Sequence, residues 1–368
     1  METKSTNYSC RCLSEIDSIA YLKNHDKNVK QRGYEQSVSW LLLHIEYFLG
    51  DKESFQLLLI SDQDSRDLAF LPLCISYKSP KRIHSIRPLS SYYTSEYSPV
   101  LLSEYCSFPG LADAVACWLL KNALPWDSFH FGPFSPTSEF AQALFNGVGQ
   151  YGLFAKNYYW FDNWYLNCSS RSFEQYYNGL PSRLKNTISR RRKKFEKQGT
   201  ISFRIYSRPE EISQAVQEFE SVYKASWKKP EGKPDFIRRF SVDAADRDWT
   251  RIGILYSNSV PCAAQLWYVA NNVASIFKLA HDEQFKSYSV GSLLTLEMMK
   301  YVLEQDKVTT VDFLIGGDGY KKDWGFTMQE RHGLAIFNRT LGGRLLALRH
   351  ISLPDLKRKF GKWLLLGH

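Results

Sequence analysis

Residues 281–325, HDEQFKSYSVGSLLTLEMMKYVLEQDKVTTVDFLIGGDGYKKDWG, decide the reading of this chain. The apolar, alternating run before them, residues 273–280 (VASIFKLA), has the pattern of a strand that ends just before His281. A polar loop follows. From Val290 the periodicity becomes helical, with Leu294, Met298 and Val302 on one stripe and Leu293 beside it, until Asp306 and Lys307 break it. Residues 308–315 (VTTVDFLI) read as another strand, so the unit is strand, loop, helix, strand. The loop enters the helix through Ser289, Gly291 and Ser292. Amides of a helix's first turn lack intrahelical acceptors and carry partial positive charge, which suits a phosphate or diphosphate. Gly291 lets such a ligand approach the backbone.

After the second strand come Gly316, Gly317 and Gly319, then Tyr320-Lys321 and Trp324. With these residues the chain resembles the GNAT-fold acyltransferases of the cellulose-biosynthesis (CelD-like) group, relatives of the Fem-type aminoacyltransferases that build peptidoglycan cross-bridges. The resemblance is carried by Asp282, Ser289 with Gly291, Leu293 with Leu294, Asp312-Phe313-Leu314, Gly317-Asp318, Tyr320-Lys321, Trp324 and an upstream basic helix at 182–197. It covers residues 166–340 well and 30–165 loosely. The chain departs from the pattern at Gly316 and Val290, where the family often has Arg and Pro.

The resemblance implies an α+β protein of two tandem GNAT-like (acyl-CoA N-acyltransferase) domains, each a mixed, mostly antiparallel sheet flanked by helices. Residues 1–165 would form the acceptor side, 166–340 the acyl-donor domain, and 341–368 a basic amphipathic tail. It also implies acetyl-CoA or another acyl-CoA as co-substrate, no metal, and an amine or hydroxyl of a sugar, polysaccharide or cell-envelope precursor as acceptor. Donor contacts are then expected at Leu279, Ser289, Val290, Gly291, Ser292 and Leu293.

Acyl transfer from a thioester requires a hydrogen-bond donor to the carbonyl, a base for the attacking group and a proton or dipole for the leaving thiolate. In the fold that the resemblance implies, the carbonyl donor is a backbone N–H where two neighbouring strands splay, here near Leu279 or Ala280. Asp282 and Asp318 are candidate bases, and Tyr320 is a candidate proton donor to the thiolate. Asp312, Lys321, Trp324 and Arg192 are candidate substrate contacts, Lys321 for a phosphate or carboxylate and Trp324 for stacking on a sugar. Asp282 equally suits a turn cap, Trp324 equally suits a core, and His281 has the character of an ordinary loop residue. The chain has neither a Gly-x-Ser-x-Gly elbow nor a P-loop, which agrees with direct transfer without a covalent enzyme intermediate or ATP.

Composition agrees with this reading. A chain of 368 residues exceeds one ordinary core, and its 44% hydrophobic content suffices for two. A net charge of +9 favours an anionic partner: a phosphorylated cofactor, lipid headgroups, an acidic glycan or RNA. Seven scattered cysteines, and an N-terminus without the apolar core of a signal peptide, place the expected compartment in the cytoplasm. Cys10-x-Cys12 has no second pair at zinc spacing.

The basic helix puts Leu184, Ile188 and Phe195 on one stripe, so it docks one face and surrounds it with cations for cofactor phosphates, an anionic polymer or tRNA. Aminoacyl transfer from tRNA is therefore the alternative reading, and a non-catalytic glycan- or nucleic-acid-binding module is a third. In the tail, Leu356, Phe360, Trp363 and Leu364 share a helical face opposite Lys and Arg, which suits either packing on the domain or a peripheral membrane contact. The rest of the chain alternates. Helices are expected near 14–22 and at 34–49, 110–122 and 137–151, strands at 55–60, 68–76, 128–131 and 157–166, and a Ser- and Tyr-rich loop at 88–99. The second half repeats that order, with a strand at 201–206, helices near 209–226 and 234–242, and strands at 250–256, 261–270 and 272–280. The acceptor, the acyl length and the oligomeric state stay open at this level.

Overall fold

The computed structural model describes residues 8–30, 33–121, 124–169, 171–316 and 319–352. Asp318 and the tail positions Leu356, Phe360, Trp363 and Leu364 lie outside the described residues. In chain order the elements are β1 (Ser9–Cys12), α1 (Glu15–His25), α2 (Val38–Phe48), β2 (Glu53–Ser61), β3 (Asp67–Ser79), β4 (Arg82–Pro88), β5 (Val100–Leu101), α3 (Phe108–Lys121), β6 (Trp126–Phe134), α4 (Glu139–Gln150) and β7 (Phe154–Asn167). There follow α5 (Phe173–Gly179), α6 (Ser182–Glu196), β8 (Ile201–Tyr206), α7 (Pro209–Lys224), α8 (Pro234–Ala245), β9 (Thr250–Ser257), β10 (Val260–Ala270), β11 (Val273–His281), α9 (Val290–Glu304), β12 (Thr310–Ile315), β13 (Thr327–Phe337) and α10 (Leu341–Ala347). No helix among the described residues is long and apolar enough to cross a membrane.

These elements form two units, one of residues 8–30, 44–160 and 330–352 and one of 33–43 and 161–329. In the first, β1, β2, β3 and β4 are successive antiparallel neighbours, and β4 then pairs β6 in parallel at Ile83↔Trp126 and Ile86↔Phe129. In the second, β8, β9, β10 and β11 repeat the antiparallel run, and β11 pairs β12 in parallel. A helix makes each parallel crossover, α3 in one unit and α9 in the other. The expected two copies of one mixed, mostly antiparallel α+β unit are therefore present. Each sheet closes on a strand from the other half of the sequence: β13 pairs β6, and the end of β7 pairs β12 at Thr310↔Asn167 and Val311↔Leu166.

Local chemistry explains the second unit's meander. Asn258-Ser259 and Asn271-Asn272 all have positive φ, between 49° and 67°, which is the two-residue hairpin geometry that Asn tolerates. Pro209 and Pro234 open α7 and α8, where their missing N–H groups are no loss. The core of this unit packs Phe195, Trp267, Leu294, Met298 and Trp324 with β-strand aliphatics, and that of the first packs Leu58, Leu71, Trp126, Phe129 and Phe140.

Six elements have no counterpart in the sequence reading: β1, β4, β5, α5, β13 and α10. In β4 only Ile83, Ile86 and Pro88 are buried, while Arg82, His84 and Arg87 interrupt the apolar signal. β1 is a four-residue edge strand, too short for periodicity to register. The loop at 88–99 is present as expected, and it is packed: Tyr97 is buried and its hydroxyl donates to the Pro72 carbonyl at 2.7 Å.

Candidate active site

The site grows from the way β11 and β12 part. Their parallel pairing runs over Val273↔Thr310, Ala274↔Val311 and Ser275↔Asp312 and stops there, while β11 stays paired to β10 as far as His281. Beyond Ser275 the amides of β11 that alternate away from β10 face a gap. Two irregularities shape its lips. β11 carries a bulge, since Leu266 pairs Lys278 but Trp267 pairs Ile276. β12 shifts register against β7 between Asp312 and Ile315, with Leu314 at φ 53°.

Asp312 holds that second irregularity in place. One carboxylate oxygen accepts from the Leu314 N–H at 2.7 Å and from Asn163 Nδ2 at 3.0 Å. Lys321 does the same work further along: it is buried, and its Nζ donates to the carbonyls of Ile315 and Gly316 at 3.3 and 3.2 Å and sits 4.8 Å from the Phe313 ring centre. Trp324 is buried in the core, and its carbonyl accepts from Tyr176 Oη at 3.1 Å. Tyr320 alone of this group is exposed, at 47%, with its ring edge-on to Phe313, the first residue of β12 past the last pair with β11.

At the β11 lip, Asp282 caps the following 3-10 turn (Glu283–Tyr288) by accepting from the Gln284 N–H at 2.9 Å. Ser289 takes a left-handed conformation, φ 54°, and turns the chain into α9. Leu293 and Val290 are buried core residues, Leu279 pairs Gln265 across the sheet, and Ser292 is half-buried. The amides of Val290 and Gly291 sit in the first turn, where no intrahelical carbonyl precedes them. A side chain at Gly291 would begin 3.5 Å from His281 Nδ1.

A buried polar chain fixes this turn. Trp267 Nε1 donates to Gln265 Oε1 at 2.9 Å, and Gln265 Nε2 donates to Thr295 Oγ1 at 2.8 Å and to the Gly291 carbonyl at 3.1 Å. Motif spacing does not single these residues out. The single amide in the buried run CAAQLWYV was the signal that pointed to them.

From sequence alone His281 has only the character of a loop residue. It ends β11 with its ring 4.4 Å from that of Trp227, its Nε2 is buried without a hydrogen-bond partner, and the nearest carboxylate, Glu283, is 3.9 Å away. Burial lowers its pKa from the usual imidazole value, against the opposing pull of Glu283.

The basic helix α6 docks on the same turn. Phe195 stacks on Tyr288 at 5.0 Å and meets Phe285 edge-on, Lys194 lies 5.1 Å over the Tyr288 ring, and Arg191 donates to the Ser287 carbonyl at 2.6 Å. Arg191 Nε is buried without a partner among the described residues. Arg192 is engaged with Glu196 and Glu297, at 3.2 and 3.0 Å, and so ties α6 to α9. Arginine donors, open amides and a side-chain-free Gly291 suit an anionic, diphosphate-bearing thioester. Among the described residues no three His, Cys, Asp or Glu side chains group as metal ligands.

Comparison with known proteins agrees with this geometry. Residues 182–322 match the family model of the acetyltransferase (GNAT) domain. FemX is similar in structure, at 10% identity over 93% of this chain and 99% of that chain, with a TM-score of 0.58. So is the C-terminal domain of a putative lysylphosphatidylglycerol synthetase from Agrobacterium fabrum, at 12% identity, 91% and 95% coverage and a TM-score of 0.53. A conserved protein of unknown function from Bacteroides thetaiotaomicron VPI-5482 shows 13% identity, 89% and 99% coverage and a TM-score of 0.53. No curated protein matches the sequence. At these identities the structures speak for the fold alone, and the family match spans residues 182–322, less than half of the chain.

Proposed function

We propose that the protein moves an acyl group from acyl-CoA directly to an amine or hydroxyl of a sugar, polysaccharide or cell-envelope precursor, as its CelD-like motifs suggest. The observation that carries this reading is the gap between β11 and β12 with the first turn of α9 at its open end. In it, the amides of Val290 and Gly291 and the Arg191 guanidinium bind the donor's diphosphate. An amide of β11 beyond Ser275 donates to the thioester carbonyl and stabilises the charge that develops on its oxygen. His281, kept neutral by burial, takes the proton of the attacking amine or hydroxyl at Nδ1, the ring nitrogen turned toward Gly291, as the new bond to the carbonyl carbon forms. The carbon–sulfur bond then breaks, and Tyr320 Oη supplies a proton to the departing thiolate. No side-chain nucleophile takes part.

Gly291→Asp tests the donor site. A carboxylate in a helix's first turn favours the helix itself, so the variant is expected to fold with unchanged or slightly raised stability. It repels the diphosphate, and the thermal upshift that acetyl-CoA gives the parent protein should vanish. An upshift that survives the substitution overturns the proposed donor site.

Aminoacyl transfer from tRNA is the second reading, because Arg190, Lys193 and Lys197 on the outer face of α6 enter no ion pair among the described residues. It predicts steeply salt-dependent tRNA binding and no affinity for coenzyme A.

A further inference from the structure

We propose that a cavity beneath α7 and α8 receives the hydrocarbon of a donor acyl group longer than acetyl. This rests on the acyl-CoA reading above and adds the chemical class of the group transferred. The cavity holds about 310 Å³, the lower end of the range for small-molecule sites. Its walls are Val216 and Phe219 of α7 with Pro234 and Ile237 of α8, and its floor is Ile252 of β9 and Leu266 of β10.

Two features select hydrocarbon. The carboxylates on the lining are already engaged: Glu220 accepts from Arg238 at 2.9 and 3.0 Å, and Glu231 is held by Lys278 at 2.6 Å. Tyr223, Lys224 and Lys228 complete the lining, but most of its surface is apolar, so an alkyl chain gains by leaving water. The second feature is position. Leu266 of the floor pairs directly with Lys278, on the part of β11 that runs past its last pair with β12. Neighbouring strands lie about 4.8 Å apart, so the floor spans roughly 5–10 Å from β11. The bulge at this point puts the extra residue, Phe277, beside Lys278 and reshapes β11 next to the gap where the thioester carbonyl is proposed to sit. An acyl chain leaving that carbonyl along the α7 and α8 side of the sheet runs over β10 into the cavity.

Calorimetric titration of the full chain with coenzyme A, acetyl-CoA and decanoyl-CoA tests this, on the parent and on Val216→Phe and Phe219→Ala. Each methylene buried multiplies affinity by roughly fourfold at most, so decanoyl-CoA should bind the parent at least about tenfold more tightly than acetyl-CoA. Val216→Phe fills the cavity and should erase that preference while leaving coenzyme A and acetyl-CoA unchanged. Phe219→Ala enlarges it and should move the preference from decanoyl to tetradecanoyl. Should Val216→Phe fail to fold, the enlarged variant decides alone. Equal affinity for acetyl- and decanoyl-CoA, or a preference that neither variant moves, overturns the cavity's role and leaves the donor site standing. Failure of all three ligands to bind the parent overturns the donor reading, and this inference with it.

Discussion

His281 shows how far a single side chain's role depends on what packs around it. In the sequence it is one histidine after a strand; in the fold its Nε2 is buried with no hydrogen-bond partner, beside Trp227 and the start of α9. Burial lowers its pKa below the ordinary 6.5, so the imidazole stays neutral and able to accept a proton at neutral pH. As a base it gives kcat/KM an acid limb below that value, and His281→Gln should remove the limb and cost roughly 100-fold or more in rate. A variant that keeps both rate and limb excludes His281 as the base. The same shift has a sign in stability. Between the folded and unfolded pKa values the unfolded chain binds more protons, so stability rises with pH through that window and levels off above the ordinary imidazole value. The placing of Gly291 at a helix start was legible from the serines and the onset of periodicity. Where Lys321 and Trp324 point was not, because a loop's tethering bonds to its own carbonyls leave no trace in spacing.

Among the elements, α9 and β12 owe their positions to polar groups inside the core. Gln265 joins β10 to the first turn of α9 through Thr295 and the Gly291 carbonyl. Gln265→Leu leaves Trp267 Nε1 without its partner, while the Gly291 carbonyl keeps Thr295 Oγ1 at 3.0 Å, and chemical denaturation should show a loss of about 1–3 kcal/mol. An unchanged midpoint would mean that packing alone places the turn. Asp312 has the equivalent role in β12, where it ties down the Leu314 backbone at positive φ. Helices and strands of the second half were readable because their apolar periods are strong, as in α7 and α8. β4 and β13 escaped because charged residues break the former's run, and the latter's stretch TMQERHGLAIF is apolar only in its second half.

For the whole molecule, the repeated order of helices and strands was visible in the sequence, and the exchange of closing strands was not. Pairing of β13 with β6 joins residues some two hundred positions apart, and no local pattern encodes such a partner. The exchange makes the first unit depend on the chain's last part. A chain stopped at residue 325 lacks β13 and bares the edge of β6, and it should aggregate or populate a loosely packed state by near-ultraviolet circular dichroism. A monomeric, cooperatively melting product would show that β13 is dispensable.

That arrangement sets a timetable for the newborn chain. At about 5–20 residues per second, the ribosome needs roughly 10–40 s to proceed from the end of β6 to the start of β13. Throughout that interval a hydrophobic strand edge waits for its neighbour to be synthesised, so slowing translation prolongs the hazard and a holding chaperone would have to cover the edge for its duration.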